Sequence, residues 1–249
     1  MSDIPLYPSE RIDDLLTHDL RIIQSDEVFS FSLDAVLLAR FCTVPARGRI
    51  IDLCSGNGVI PLLLSTRSKL PITGVEIQPR VADMARRSVQ MNRLEDRIEI
   101  IESDLRVYAY EVPPGSYDLV TVNPPYLPQS IGMRNQNDHM AIARFEIMCT
   151  MDEVVAAASR LVKNGGKVAV VHRASRLAEL ITSLRAHRLE PKRLRMVHPR
   201  AGAEANMVLV EAIRDANPEL RVLPPLFVYE SNQYCQELLE IYYGKRSHF

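Results

Sequence analysis

At 249 residues the chain can bury one sizeable core and stands at the upper end of a single domain, and 47% hydrophobic with 24% charged residues are ordinary globular proportions. No apolar run of about 18 residues and no basic stretch followed by an apolar core occurs, so we expect neither a spanning helix nor a leader but a soluble cytoplasmic protein with no membrane contact. The formal net charge of −1 assigns no partner by itself, but residues 185–200 hold six Lys or Arg against one Glu, a local basic cluster.

Residues 1–48 precede the main pattern. Residues 27–31 alternate aromatic and polar side chains, so a half-buried edge strand is expected there, and Ser32 with Asp34 caps a helix through residue 41. Phe29 and Phe31 either pack this strand or cover a ligand. The four cysteines, Cys42, Cys54, Cys149 and Cys235, show neither disulfide nor metal spacing and read as reduced, mostly core residues.

Residues 49–58 read as a strand, then a tight glycine turn, then an apolar helix from Val59. Glycines permit close backbone approach, and the helix start offers free N–H groups to a polar ligand. A dinucleotide fingerprint would place a third glycine three residues after Gly58, where Pro61 stands instead. A second strand, 72–77, carries an acidic end, and residues 79–92 place Val81, Met84, Ala85, Ser88 and Val89 on one helical face. The third strand, 98–102, is followed by Ser103, Asp104 and Leu105, where Asp104 either meets a ligand or caps the next helix.

Residues 119–126 are the centre of the chain. A β-branched run reads as a buried strand that stops at Asn123, because Pro124 and Pro125 have no N–H to continue a ladder. Asn123 and nearby carbonyls then become fixed acceptors beside the Tyr126 ring, suited to a planar group that bears an NH2. A plain strand-to-loop turn uses the same residues. The polar stretch 127–147 contains Arg134 and His139, either substrate contacts or solvated side chains.

A helix is expected over 151–162, ended by Asn164, Gly165 and Gly166, then a fifth strand over 167–172 and a helix over 173–187. Two strands, 194–197 and 206–211, are joined by so short a link that they form an antiparallel pair. Pro224 and Pro225 confine an extended segment to an edge or surface position, and a short helix from Ser231 closes the chain.

The Asp52-x-x-x-Gly56-x-Gly58 pattern resembles the first motif of class I S-adenosylmethionine-dependent methyltransferases, and Asn-Pro-Pro-Tyr resembles the motif by which amino-group methyltransferases hold their acceptor nitrogen. With Phe29–Ala39, residues 195–199 and residues 204–212, the chain is similar along nearly its whole length to the bacterial tRNA adenine-N6 methyltransferases, which modify the adenosine beside the anticodon of a valine tRNA. The resemblance implies a Rossmann-like, doubly wound, mostly parallel seven-stranded α/β sheet with a C-terminal antiparallel hairpin. It divides the chain into an extension (1–48) over the site, a core (49–213) and a C-terminal extension (214–249). S-adenosylmethionine is expected across Asp52, Cys54, Gly56, Gly58, Glu76, Asp104, Leu105 and Asn123, with Glu76 on the ribose hydroxyls and Asp104 on the adenine amino group. Asn123, Pro124, Pro125 and Tyr126 would be catalytic, and no metal is expected. The tRNA would meet Phe29, Phe31, Arg134 and the cluster Lys192, Arg193, Arg195 and Arg200, although a solvated face explains those four equally. The alternatives are a protein-glutamine methyltransferase of the release-factor type, for which the extension is short, and a non-catalytic RNA-binding module, which would not need an intact acceptor motif.

Overall fold

A computed structural model describes residues 4–28, 33–124 and 149–243. Strands β1 (Glu10–Asp14) and β2 (Arg21–Ser25) pair antiparallel, and helix α1 (Leu33–Phe41) follows. Four strand–helix steps come next: β3 (Ile50–Leu53) with α2 (Val59–Ser65), β4 (Ile72–Glu76) with α3 (Pro79–Met91), β5 (Ile98–Glu102) with α4 (Leu105–Glu111), and β6 (Tyr117–Val122) leading towards α5 (Met151–Leu161). Strand β7 (Val162–Arg173), α6 (Leu177–Ala186), β8 (Leu189–Arg200) and β9 (Met207–Arg214) complete the core. The short strands β10 (Arg221–Val222), β11 (Leu226–Glu230) and β12 (Gln233–Tyr234) then lead to α7 (Gln236–Tyr242).

One sheet runs β12-β11-β8-β9-β7-β6-β3-β4-β5, with β10 also on β8. Its seven central strands are parallel except β9, which lies antiparallel between β7 and β8. Strands β3 and β4 are buried at every residue, because helices cover both faces of a parallel sheet and only apolar or tightly paired side chains fit there. Helices α1, α2 and α7 pack against one face, and α4, α5 and α6 against the other.

The expected helical stripe on α3 is buried throughout. It faces the sheet and, through Val81 and Met84, also the side chains of Ile23 and Val28. Burial of a side chain the size of Val or Met contributes about 1.5–3 kcal/mol. The β1–β2 hairpin is therefore fastened to α3, with Arg87 forking onto Glu10 at 2.7 and 2.8 Å and Ser88 Oγ accepting from the Ile23 N–H at 2.9 Å.

Several boundaries differ from expectation. Residues 27 and 28 lie in the turn that leaves β2 rather than in a strand, and 29–32 lie outside the described residues. Asn164, Gly165 and Gly166 do not end α5; Val162 already pairs with Tyr117, and the three residues form a bulge before Lys167 pairs with Leu119. The helix of residues 151–161 is started by Thr150, whose hydroxyl and the Glu153 carboxylate cap one another's backbone N–H. Ser231 is not a helix cap. With positive φ, Ser231 and Asn232 form the two-residue connection between β11 and β12, and the Cys235 sulfur caps α7 instead, accepting from Leu238 N–H at 3.3 Å. The three extra strands lie beyond β8, where Pro224 and Pro225 split the added edge into β10 and β11 because neither can donate to the ladder. Among the described residues no helix is long and apolar enough to cross a membrane.

Candidate active site

The sheet register assembles the site. Asp52 pairs with Gly74 on one side and Thr121 on the other, so these three positions face the same way. Side chains alternate along a strand, so two residues further on Glu76 and Asn123 stand on that same face at one level. Two inter-strand spacings of about 4.8 Å put them roughly 10 Å apart. Between them β3 ends, and the glycine turn fills the gap.

That turn is built from left-handed residues: Cys54 has φ 57°, Gly56 55° and Gly58 85°. For Cys54 this conformation costs about 1–2 kcal/mol, strain of a kind that concentrates at ligand-binding loops. Gly58 packs against α3, where an added Cβ would stand 3.2 Å from Ala85 Cβ, whereas a Cβ on Gly56 would have nothing within 4 Å. Gly56 thus leaves open space at the turn.

Glu76 is 5% exposed, and its oxygens accept from Gly56 N–H and Gln78 N–H, each at 2.9 Å. Burial raises its pKa, and the backbone hydrogen bonds oppose that rise. An ionised carboxylate offers about four acceptor positions, and besides the Gly56 and Gln78 N–H groups the Ile77 N–H and the Gln78 side chain also turn to Glu76, so a ligand hydroxyl would share the carboxylate with these donors or displace the Gln78 side chain. A carboxylate at a strand end beside a glycine turn fits the vicinal hydroxyls of a nucleoside, the group the sequence expectation placed here.

Asp52 has a different part from the expected one. It is 0% exposed and accepts from Thr121 Oγ1 at 2.6 Å, so it braces β3 against β6 beneath the turn and cannot touch a ligand. Burial pushes its pKa from 3.8 up to about 7, opposed by the Thr121 and Ser55 hydroxyls and aided by the nearby Glu76 charge. Between those two pH values the folded chain holds a proton that the unfolded chain has lost. Stability without ligand should therefore fall as pH rises from about 4 to about 7, by at most about 1.4 kcal/mol per pH unit from this group. Asp52→Asn should flatten that slope in denaturant titrations, and an undiminished slope would show that the carboxyl is ionised throughout.

Asp104 caps α4, accepting from Arg106 N–H at 2.8 Å and from Arg106 Nη2 at 2.6 Å. The Arg106 hydrogen bonds hold its pKa below the usual carboxylate value. Arg106 also reaches Glu153 at 2.9 Å and so ties α4 to α5. Leu105 opens α4 with its side chain in the core, 6% exposed. Pro124 is buried and Asn123 half-buried at the end of β6. Pro125, Tyr126, Phe29, Phe31, Arg134 and His139 lie outside the described residues.

The basic cluster does not stay together. Arg193 turns inward onto Glu211 at 3.0 Å and stacks over Phe41, and Arg195, 5% exposed, forks onto Glu237 at 2.7 and 2.9 Å. Arg195 is therefore buried away from a phosphate, against the expectation, and Arg193 is half-buried with its Nη1 engaged within the fold. Lys192 donates to the Asn217 carbonyl at 3.1 Å, and only Arg200 of the four is exposed. Two partners escaped the sequence reading. Thr121 was signalled only by its place two residues before Asn123. Cys149 was not signalled: its thiol hydrogen-bonds that of Cys54, and this bond together with burial drives the Cys54 pKa upward.

Residues 19–184 match the methyltransferase small domain. Over 186 residues the chain is 31% identical to the tRNA1(Val) (adenine(37)-N6)-methyltransferase of Aeromonas hydrophila, spanning 74% of this chain and 76% of that protein. It is 33% identical over 140 residues to the protein of the same name from Yersinia pestis, a match that spans 55% of each, about half the length of that relative. Among solved structures, protein Atu636 of Agrobacterium tumefaciens, described as a predicted O-methyltransferase, superposes with a TM-score of 0.69 at 25% identity, covering 86% of this chain and 98% of that one.

Proposed function

From the premise that this chain belongs to the methyltransferase small domain family, we propose that it transfers the methyl group of S-adenosylmethionine to N6 of adenine in tRNA, at the adenosine beside the anticodon of a valine tRNA. The observation that carries the chemistry is the common level of Glu76 and Asn123 on one sheet face, either side of the open glycine turn. When bound, the cofactor supplies a methyl group on a positively charged sulfur, already reactive towards a neutral nitrogen.

Glu76 holds the ribose hydroxyls, and the turn at Gly56 leaves room for the rest of the nucleoside. Asp104, already engaged by Arg106, presents its carboxylate near the adenine end. The adenine amino lone pair of the substrate is delocalised into its ring and is a poor nucleophile. Acceptors aimed at both N–H bonds favour the amino group as its nitrogen becomes tetrahedral and positive. The Asn123 side-chain oxygen and the Pro124 carbonyl serve as those acceptors, and the Tyr126 ring stacks on the base, worth about 1–3 kcal/mol. No strong base is needed, because the methylated cation is acidic enough to give its proton to water. The reading is tested by incubating the protein with methyl-labelled cofactor and bulk tRNA, then digesting to nucleosides. Label in N6-methyladenosine supports it; no transfer to tRNA, or transfer to glutamine in a parallel reaction with a release factor as substrate, overturns it.

Glu76→Ala should weaken cofactor binding by about 1.5–3 kcal/mol, the scale of hydrogen bonds to a charged acceptor. Calorimetry would check this, and an unchanged affinity would remove Glu76 from the site.

A further inference from the structure

The register that sets Glu76 and Asn123 on one face also places a cation beside them. Strand β7 lies parallel to β6 on the side away from β3, with Val122 opposite Val170, so Asn123 stands level with Val171. Side chains alternate along a strand, and Ala169 and Val171 pack into the same core cluster as α1 and α2, so Arg173 emerges on the face that carries Asn123. It is one strand spacing across and two residues further along, about 8 Å from Asn123 between Cα atoms. Strand β7 outruns β6 at this point and is still paired, Arg173 standing opposite Met207 of β9.

Arg173 is exposed, and its guanidinium makes no ion pair among the described residues, whereas the nearest arginines of the rim are engaged within the fold. Arg176 pairs with Glu179, and Arg80, in the first turn of α3, pairs with Glu27 at 2.8 Å. In strand order the face therefore carries Glu76 on β4, the glycine turn after β3, Asn123 on β6 and Arg173 on β7. The cofactor reading fills the first two places, and Asn123 holds the acceptor nitrogen, so what lies over β7 is the rest of the acceptor molecule. Counted from its exocyclic amino group, the rest of an adenine nucleotide is ring, sugar and phosphate, and the phosphate carries its charge. A guanidinium matches phosphate oxygens with a planar fork of N–H donors. An acceptor glutamine of a protein brings no anion of its own to that place.

We propose that Arg173 binds the backbone phosphate of the RNA nucleotide whose base lies against Asn123, and so sets the position of that nucleotide for methyl transfer. The inference rests on the RNA-substrate reading above and deepens it by naming a contact on the side of Asn123 away from the cofactor. The separation of Asn123 from Arg173, with the reach of an arginine side chain, matches one nucleotide from amino group to phosphate. A guanidinium that meets a phosphate displaces counterions, so its loss is read in the salt dependence of RNA binding. Cofactor binding, which uses β3 and β4, carries no such signature.

The test compares Arg173→Ala, Arg173→Lys and Arg47→Ala with the natural chain. Arg47 is exposed just ahead of β3, at the opposite end of the strands, so its variant loses the same charge far from Asn123. Binding of a labelled anticodon stem-loop of a valine tRNA is measured across a salt series, beside methyl transfer and calorimetric cofactor binding. Arg173→Ala should weaken RNA binding roughly three- to tenfold at low salt. Its salt slope should fall by about 0.7–0.9, the share of one phosphate. Transfer should drop at limiting RNA and recover at saturating RNA, and an unchanged cofactor affinity would show the fold intact. Arg173→Lys, which keeps the charge but not the fork, should keep the slope and part of the affinity, and Arg47→Ala should bind as the natural chain does. An unchanged slope in Arg173→Ala, an equal loss in Arg47→Ala, or weakened cofactor binding, which would put Arg173 on the cofactor carboxylate, overturns the contact. Adenine methylation with a slope indifferent to Arg173 sinks the contact alone. An Arg173-dependent slope without adenine methylation sinks the substrate reading and leaves Arg173 as an RNA contact.

Discussion

Asn123→Ala is expected to lower methyl transfer by about 10²–10³-fold, the loss seen when one preorganised polar partner of a developing charge is removed. The side chain emerges where β6 ends, two residues past Thr121, on the face that carries Glu76. Because Asn123 is half-buried at the rim and not in the core, its removal should leave folding nearly intact. Cofactor affinity should change little, since the Glu76 hydrogen bonds come from β4, α3 and the glycine turn. The informative measurement is single-turnover transfer to tRNA beside calorimetric cofactor binding. A variant that keeps full turnover would remove Asn123 from the chemistry; one that loses turnover and cofactor binding together would make it a cofactor ligand.

The second large effect concerns stability. Arg193→Ala should destabilise the fold by about 3–5 kcal/mol, because it strips the main partner from a buried carboxylate. Glu211, 2% exposed, accepts from Thr43 N–H at 2.6 Å, Thr43 Oγ1 at 2.9 Å and Arg193 Nη1 at 3.0 Å. The guanidinium also donates to Thr43 Oγ1 at 2.8 Å and lies over the Phe41 ring, so it joins β8 and β9 to the end of α1. Arg200→Ala, by contrast, should change stability by no more than about 0.5 kcal/mol, as for most exposed positions. Denaturant melts of the two variants side by side decide the matter. Replacing Arg193 and Glu211 together by apolar residues of similar volume should recover much of the stability. If Arg193→Ala melts like Arg200→Ala, the ion pair is not formed as described.

The composition of the strands and the position of their ends were readable from the chain alone. Buried parallel strands are mostly apolar runs, and here they stop before the glycine turn that follows Leu53, at Glu76 and before the proline pair after Asn123, although Asp52 and Gly74 lie inside strands. Those interruptions carry the candidate site, which is why the glycine turn, Glu76 and Asn123 could be proposed before any tertiary partner was known. The antiparallel β8–β9 pair followed from its short link. The Gly165–Gly166 pair misled because glycine serves a bulge as readily as a helix end, and only the partner strand distinguishes the two.

What folding alone decided was which charged groups face inward. Arg193, Arg195 and Arg200 lie along β8 in one basic stretch, yet two are paired with Glu211 and Glu237, residues 18 and 42 positions away, and one is exposed. Asp52 likewise looked like a ligand by motif and is a buried brace by virtue of Thr121, 69 residues on. Local sequence states what a side chain can do, through its charge, reach and backbone preference. Whether it is spent on the protein or offered to a ligand depends on partners that only the register of distant strands brings within hydrogen-bonding distance, since a buried charge must find one and an exposed charge need not.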